Sequence, residues 1–320
     1  MIVFRDSSEF GPALRSTAEG LGIPAAAVEK DYWVSEILRA MSREFGNDFV
    51  FKGGTSLSKA YRIVERFSED VDVLVLPGSR GRGAVDKLMK AMGALAATTS
   101  GGEARRYGSA ETGKHRSYEI SYPATNVPAR PISATVRLEM GVRGGPHPSK
   151  EVEVRCLLGD ALLDSGSDLD EFADLSHFTV AVLHPGRTLI EKLALVHGLA
   201  QRLADDPRSE LDDRTGRHFY DIHQLLGNDL VVELLADRGE FDSILANAEE
   251  ITRANFGDDE SELRPVDGFA ASQAFALDGA VSTRLRTAFE TSMPFMYFGA
   301  SELPTWEQIC RRVQEKRELL

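Results

Sequence analysis

The chain has 320 residues, with 50 Asp and Glu against 37 Lys and Arg, a net charge of −13 and two cysteines. That length provides core for one large domain or two modest ones, and the acidity excludes a uniformly basic nucleic-acid binder. Cys156 and Cys310 are too few and too far apart for a disulfide framework or a four-cysteine zinc site, and they suit a reducing compartment.

The opening MIVFRDSSEF lacks the basic and apolar regions of a signal peptide. No apolar run nears the roughly 18 residues of a membrane span, so a cytoplasmic, membrane-free protein is expected. Over 24–43, Val28, Tyr32, Ile37 and Met41 recur near helical spacing, with Pro24 suited to a first turn. A short β-type run at 49–51 is cut off by Gly53-Gly54. Helical character resumes over 55–64, and 71–76 reads as a buried strand ended by Pro77-Gly78. Residues 78–83 and 99–114, rich in Gly, Ser and Arg, read as loops around a helix at 84–97. Three β-type stretches follow at 116–122, 133–142 and 151–157. Beyond His184-Pro185 the segments 187–202, 218–226, 230–236, 241–253, 279–290 and 304–320 all read helical, and 254–278 is loop-rich and acidic. The fold class expected is α/β (α+β): a mixed sheet of about five strands with flanking helices over 1–180, then a mainly α-helical domain over 181–320.

Charge is uneven along the chain. Between 52 and 116 twelve basic side chains oppose seven acidic ones, either a solvated face or a footprint for phosphates. Within that segment lies Lys52-Gly53-Gly54-Thr55-Ser56-Leu57-Ser58-Lys59, followed by Arg66-Phe67-Ser68-Glu69-Asp70-Val71-Asp72. Residues i and i+2 of a strand face the same way, so Asp70 and Asp72 would repel each other unless a cation sat between them. Mg²⁺ suits such oxygen ligands together with substrate phosphates. A bare DxD would read as a solvated strand end. Here a glycine turn precedes it, where backbone can approach an anion, and a helix beginning at Thr55 or Ser56 offers free N–H groups. Either hydroxyl could equally be an N-cap. The turn is neither a Walker loop nor a dinucleotide fingerprint. The seven histidines form no i, i+4 pair, which disfavours zinc, and no GxSxG marks a hydrolase. Lys192 interrupts a strongly apolar helix, so it either snorkels to solvent or meets a buried anion.

A glycine–hydroxyl turn, a helix and a strand opening with DxD resemble the nucleotidyltransferase superfamily of DNA polymerase beta type. More narrowly, FKGGTSLSKAY and RFSEDVDVLV, with VEKDYWV at 28–34, RTLIEKLAL at 187–195 and RHFYDIHQLL at 217–226, resemble the AbiEii/AbiGii toxin family, which includes MenT-like toxins. The resemblance implies a nucleotidyltransferase-like domain over 1–180 and a helical domain over 181–320 completing its cleft. It carries a catalytic set onto Asp70, Asp72, Lys192 and Asp221, with Glu139 as the candidate third carboxylate on a central strand. Asp70, Asp72 and Glu139 would be the metal ligands, for Mg²⁺ or Mn²⁺. Gly53, Gly54, Thr55, Ser56, Lys59 and Arg66 would bind nucleotide. Gly-Gly-Thr-Ser stands where the family has a simple Gly-Ser, which leaves two candidate hydroxyls. Glu139 could instead pair with Arg137 or Arg143, and Asp221 with Lys192 or Arg217. Lys59, Arg62 and Arg66, read as one helical face, could instead pair with Glu65, Glu69 or the DxD.

The activity implied is transfer of NMP from an NTP to an RNA acceptor, the tRNA 3′ end for several family members, by the toxin of a toxin–antitoxin pair whose antitoxin is encoded nearby. The alternatives are a phosphotransferase on the same site and a non-catalytic nucleotide- or partner-binding module.

Overall fold

The computed structural model describes residues 2–68, 70–126, 132–256 and 263–320, with nothing of the side chains of 255 and 256. Glu69 and residues 257–262 of the acidic stretch lie outside the described residues. The chain parts into two units, Met1–Arg62 with Phe67–Leu183, and Ile63–Arg66 with His184–Leu320.

In the first unit the elements run α1 (Phe10–Leu21), α2 (Ala25–Phe45), β1 (Phe49–Lys52), α3 (Gly53–Lys59), β2 (Asp70–Val75), α4 (Arg82–Ser100), β3 (Ala104–Glu111), β4 (His115–Ser121), β5 (Thr135–Gly141), β6 (Ser149–Val154), α5 (Leu157–Asp164) and β7 (Phe178–Leu183). The strands form a mixed sheet in the order β3-β4-β5-β2-β1-β7-β6. β2 runs parallel to β5 and β1 to β7, and the other neighbours are antiparallel. This is the mixed α/β fold expected, with seven strands rather than about five.

The two additions have physical reasons. β3 was expected as loop: its residues are all exposed or half-buried, so it carries no apolar alternation, and it is a strand because β4 pairs with it. β7 is a short apolar run, FTVAVL, just before the expected change of character, where no strand was anticipated. α1 and α5 were also not anticipated. α2 behaves as its spacing demands. Val28, Tyr32, Ile37 and Met41 are wholly buried, and Pro24 is the N-cap rather than the first helical residue.

Alternation explains what each sheet face does. Phe49, Phe51, Val71, Val73, Val75, Leu138 and Met140 point into the main core with α2 and α4 residues such as Met89 and Met92. Their neighbours at odd offsets point the other way, where Val50, Leu74 and Leu183 form a small separate cluster. That second face, apolar at one end, carries charge at the other.

The second unit is helical: α6 (Pro185–Asp205), α7 (Gly216–Leu226), α8 (Asp229–Ala236), α9 (Arg238–Phe256), α10 (Ala280–Met296) and α11 (Trp306–Glu315). α6 starts where Pro185 presets the first turn and the His184 ring accepts a hydrogen bond from Gly186 N at 3.1 Å. α11 begins with a capping box between Thr305 and Gln308. Phe219 packs on Trp306, ring centres 4.8 Å apart, and Phe275 and Phe289 complete that aromatic core. Among the described residues no helix is long and apolar enough to cross a membrane.

Candidate active site

In the first unit strand register sets the arrangement. Asp72 lies opposite Lys52 of β1 on one side and Glu139 of β5 on the other, and Asp70 lies opposite Arg137. Paired residues on adjacent strands share a face, so Asp70, Asp72 and Glu139 all stand on the side away from the main core. Asp70 is 3% exposed and Asp72 half-buried. Neighbouring strands are about 4.8 Å apart, which brings Asp72 and Glu139 side by side by backbone geometry alone.

The turn before β2 is fitted to Asp72. Gly53 has φ +78°, and a Cβ there would lie 2.2 Å from Asp72 Oδ2. Only a residue without a side chain tolerates both the left-handed backbone and the carboxylate against it. The helix begins at Gly53, not at Thr55 or Ser56, with Lys52 as N-cap. Both candidate hydroxyls consequently fall inside the turn. Thr55 Oγ1 donates to the Asp70 carbonyl and is 2.7 Å from Ser68 Oγ, while Ser56 Oγ donates to the Gly53 carbonyl at 2.8 Å. Thr55 and Ser56 are buried, and their hydroxyls brace the turn. Gly54 follows within the same turn.

The basic side chains expected to share a helical face do not. α3 ends at Lys59, and Arg62 sits in the left-handed region at φ +54°. Lys59 Nζ is held 2.5 Å from Asp31 Oδ1 and 2.7 Å from Ser35 Oγ, almost without exposure. Arg62 pairs with Asp160 at 2.7 Å. Arg66 belongs to the second unit. The expected single face was an artefact of continuing the helix past Lys59.

In the second unit Arg66 grips Asp221 with Nε at 2.6 Å from Oδ1 and a terminal nitrogen at 2.7 Å from Oδ2, both side chains fully buried. Lys192 of α6 reaches the same carboxylate, Nζ to Oδ2 2.9 Å, and lies 3.3 Å from His218 Nδ1. Lys192 therefore meets a buried anion, as one reading of its sequence context required, while Arg66, expected on a nucleotide, is committed to Asp221. Burial alone would raise the Asp221 carboxyl, but Arg66 and Lys192 outweigh it and hold it well below the usual range. Burial pushes the Lys192 amine down, with Asp221 opposing. Burial, Lys192 and Arg217 keep the His218 ring neutral. Two cations thus share one carboxylate, and of these Lys192, side chain 10% exposed, is the accessible one.

Three oxygen-donor carboxylates on adjoining strands suit a hard divalent cation, and the donor set fits. Among the described residues no three His, Cys, Asp or Glu side chains are already drawn round a common point. One participant, Lys52, and one pairing, Arg66 with Asp221, were not anticipated. Lys52, next to the glycines, occupies the Asp72–Glu139 row, and its place directly before Gly53 was the available signal. The Arg66–Asp221 pair spans 155 positions, and nothing local could announce it.

The family model described as "Nucleotidyl transferase AbiEii toxin, Type IV TA system" matches residues 36–308. Among solved structures, the nucleotidyltransferase toxin MenT4 from Mycobacterium tuberculosis H37Rv is similar at 18% identity and a TM-score of 0.41, covering 87% of this chain and 98% of its own. No curated protein sequence matches. A family match over most of the chain, spanning both the carboxylate row and the lysine-bearing helices, places this protein in the AbiEii nucleotidyltransferase toxin family of type IV toxin–antitoxin systems.

Proposed function

We propose that this chain transfers the nucleoside monophosphate of an NTP to the terminal 3′ hydroxyl of an RNA acceptor, with tRNA the acceptor expected, in a divalent-metal-dependent reaction that its cognate antitoxin restrains. The observation that carries the reading is the acidic corner of the sheet face, with Asp72 and Glu139 in register, Asp70 two residues away and Gly53 shaped to Asp72.

Asp70, Asp72 and Glu139 would hold the metal, Mg²⁺ or Mn²⁺, which when bound supplies Lewis-acid stabilisation of phosphoryl oxygens. Glu139 takes the proton of the acceptor hydroxyl as its oxygen forms a bond to the α-phosphorus. The α–β phosphoanhydride bond breaks, and pyrophosphate leaves with the electron pair. The Gly53-Gly54 backbone, free of side chains, would give the triphosphate close approach. The family resemblance is what assigns Lys192 to offset charge on the departing pyrophosphate. Asp221 and Arg66 are positioning residues, fixing the ammonium rather than touching nucleotide, and Lys59 fixes α3 against Asp31.

Labelled NTPs separate this chemistry from its rival. With total RNA and Mg²⁺, label at the α-phosphate enters RNA and label at the γ-phosphate does not. Entry of γ-label would make the protein a phosphotransferase, and entry of neither would remove RNA as acceptor.

A further inference from the structure

The acidic row does not stop at β5. Glu139 pairs with Ser117 of β4 and Ser117 with Tyr107 of β3, so Lys52, Asp72, Glu139, Ser117 and Tyr107 line up across five strands on one face. The adjoining row runs Asp70, Arg137, Glu119 and Arg105. Tyr107 is 38% exposed on the sheet's edge strand, and the Arg137 guanidinium lies over its ring, 4.6 Å from the centre. Arg105, two residues before Tyr107 on the same face, is exposed. Arg137 also meets Glu119 of β4, Nε to Oε1 3.6 Å, which holds the guanidinium in place over the ring.

We infer that the β3–β4–β5 face is a platform for the single-stranded end of the RNA acceptor, with a base stacked on Tyr107 and Arg137 and phosphates met by Arg105. The inference rests on the proposed function and adds to it the path the acceptor takes. Aromatic rings and guanidinium planes beside a cationic track are the chemistry that holds unpaired nucleotides without regard to sequence. Three strand spacings separate Tyr107 from Asp72, about 14 Å, a span that a short stretch of unpaired chain covers between a stacked base and a 3′ end at the carboxylates. Repulsion by Asp70, Asp72 and Glu139 would oppose RNA at the acidic end, and the arginines at the other end give the face its polarity. A protein partner adding a strand to the β3 edge is the competing occupant.

The test separates binding from transfer. Anisotropy of a short 5′-labelled single-stranded RNA is measured with Asp72→Asn protein, which needs no chemistry, and with Tyr107→Ala, Tyr107→Trp and Arg105→Glu added to it. The expected result is affinity lost on the order of tenfold to a hundredfold by Tyr107→Ala, retained by Tyr107→Trp, and lowered with a shallower salt dependence by Arg105→Glu. In the otherwise wild-type enzyme Tyr107→Ala raises KM for RNA and leaves KM for NTP unchanged, a split that a folding defect would not produce. Wild-type RNA affinity in Tyr107→Ala overturns the platform and leaves the edge to a protein. RNA binding that depends on Tyr107 without any nucleotide transfer sinks the proposed function while keeping the platform.

Discussion

The sheet face of the first unit and the ion cluster of the second treat charge in opposite ways. On β2 and β5 acids are set beside acids, held by strand register and by a glycine that admits Asp72. In the helical unit opposite charges interlock in the interior, Asp221 taking two bonds from Arg66 and one from Lys192. Like charges side by side cost stability and are kept where a ligand is to be bound. Opposite charges interlocked in the interior fix geometry, and removing one partner strands the rest. The difference supports the roles proposed, a positioning role for Asp221 and a contact role for Asp72 and Glu139.

Substitutions can break that comparison. The largest effect falls on the interlocked cluster: Asp221→Asn leaves Arg66 and Lys192 sharing a neutral amide in the interior, and a loss of about 3–5 kcal/mol is expected from denaturant unfolding. A loss below about 1 kcal/mol would mean that the cluster is not structural. Asp72→Asn should do the reverse. It keeps the side-chain shape while removing both attraction to Lys52 and repulsion by Glu139 beside it, so the unfolding midpoint should move little, while transfer falls on the order of a thousandfold, about 4 kcal/mol of barrier.

A smaller effect comes from pH. Burial, and then Arg312, push His223 down to about 4. It lines a polar cavity of about 400 Å³ with Arg311, Arg312 and Glu315. The unfolded chain then binds a proton that the folded one resists. Stability is full above about pH 6.5 and is lost as pH falls towards 4, by up to about 3 kcal/mol. His223→Asn should flatten part of that slope in melts recorded from pH 7 to 4, and an unchanged slope would assign it elsewhere. Last, Gly53→Ala drives a methyl group into the Asp72 carboxylate. Displacing that group by about an ångström should lower transfer roughly a hundredfold, with little change in KM for RNA.

How far these two regions could be read from sequence follows from their physics. The acidic row was legible because alternation in a strand is local: Asp70-x-Asp72 behind two glycines already puts both acids on one face. Glu139 was legible only as a member of an alternating run, since its register against Asp72 is a tertiary fact. Lys192 stood out as a charge in an apolar helix, and Asp221 emerged from family resemblance. That Arg66 would be the one to hold Asp221 was not legible, because the chain between them says nothing about which helix meets which loop. Reading Lys59, Arg62 and Arg66 as one face failed because positive φ at Arg62 breaks the helix early, and only Gly or Asn would have signalled such a residue. β3 was missed for want of a buried side. The same exposure leaves Tyr107 and its arginines accessible.

The most direct test of the central claim, that acids on one sheet face carry out nucleotidyl transfer, is the intact mass of the acceptor RNA after incubation with NTP and Mg²⁺. The account predicts an increment of one or more nucleoside monophosphate residues with the wild-type protein and none with Asp72→Asn. An increment of a single phosphate, or nucleotide addition undiminished in Asp72→Asn, would contradict it.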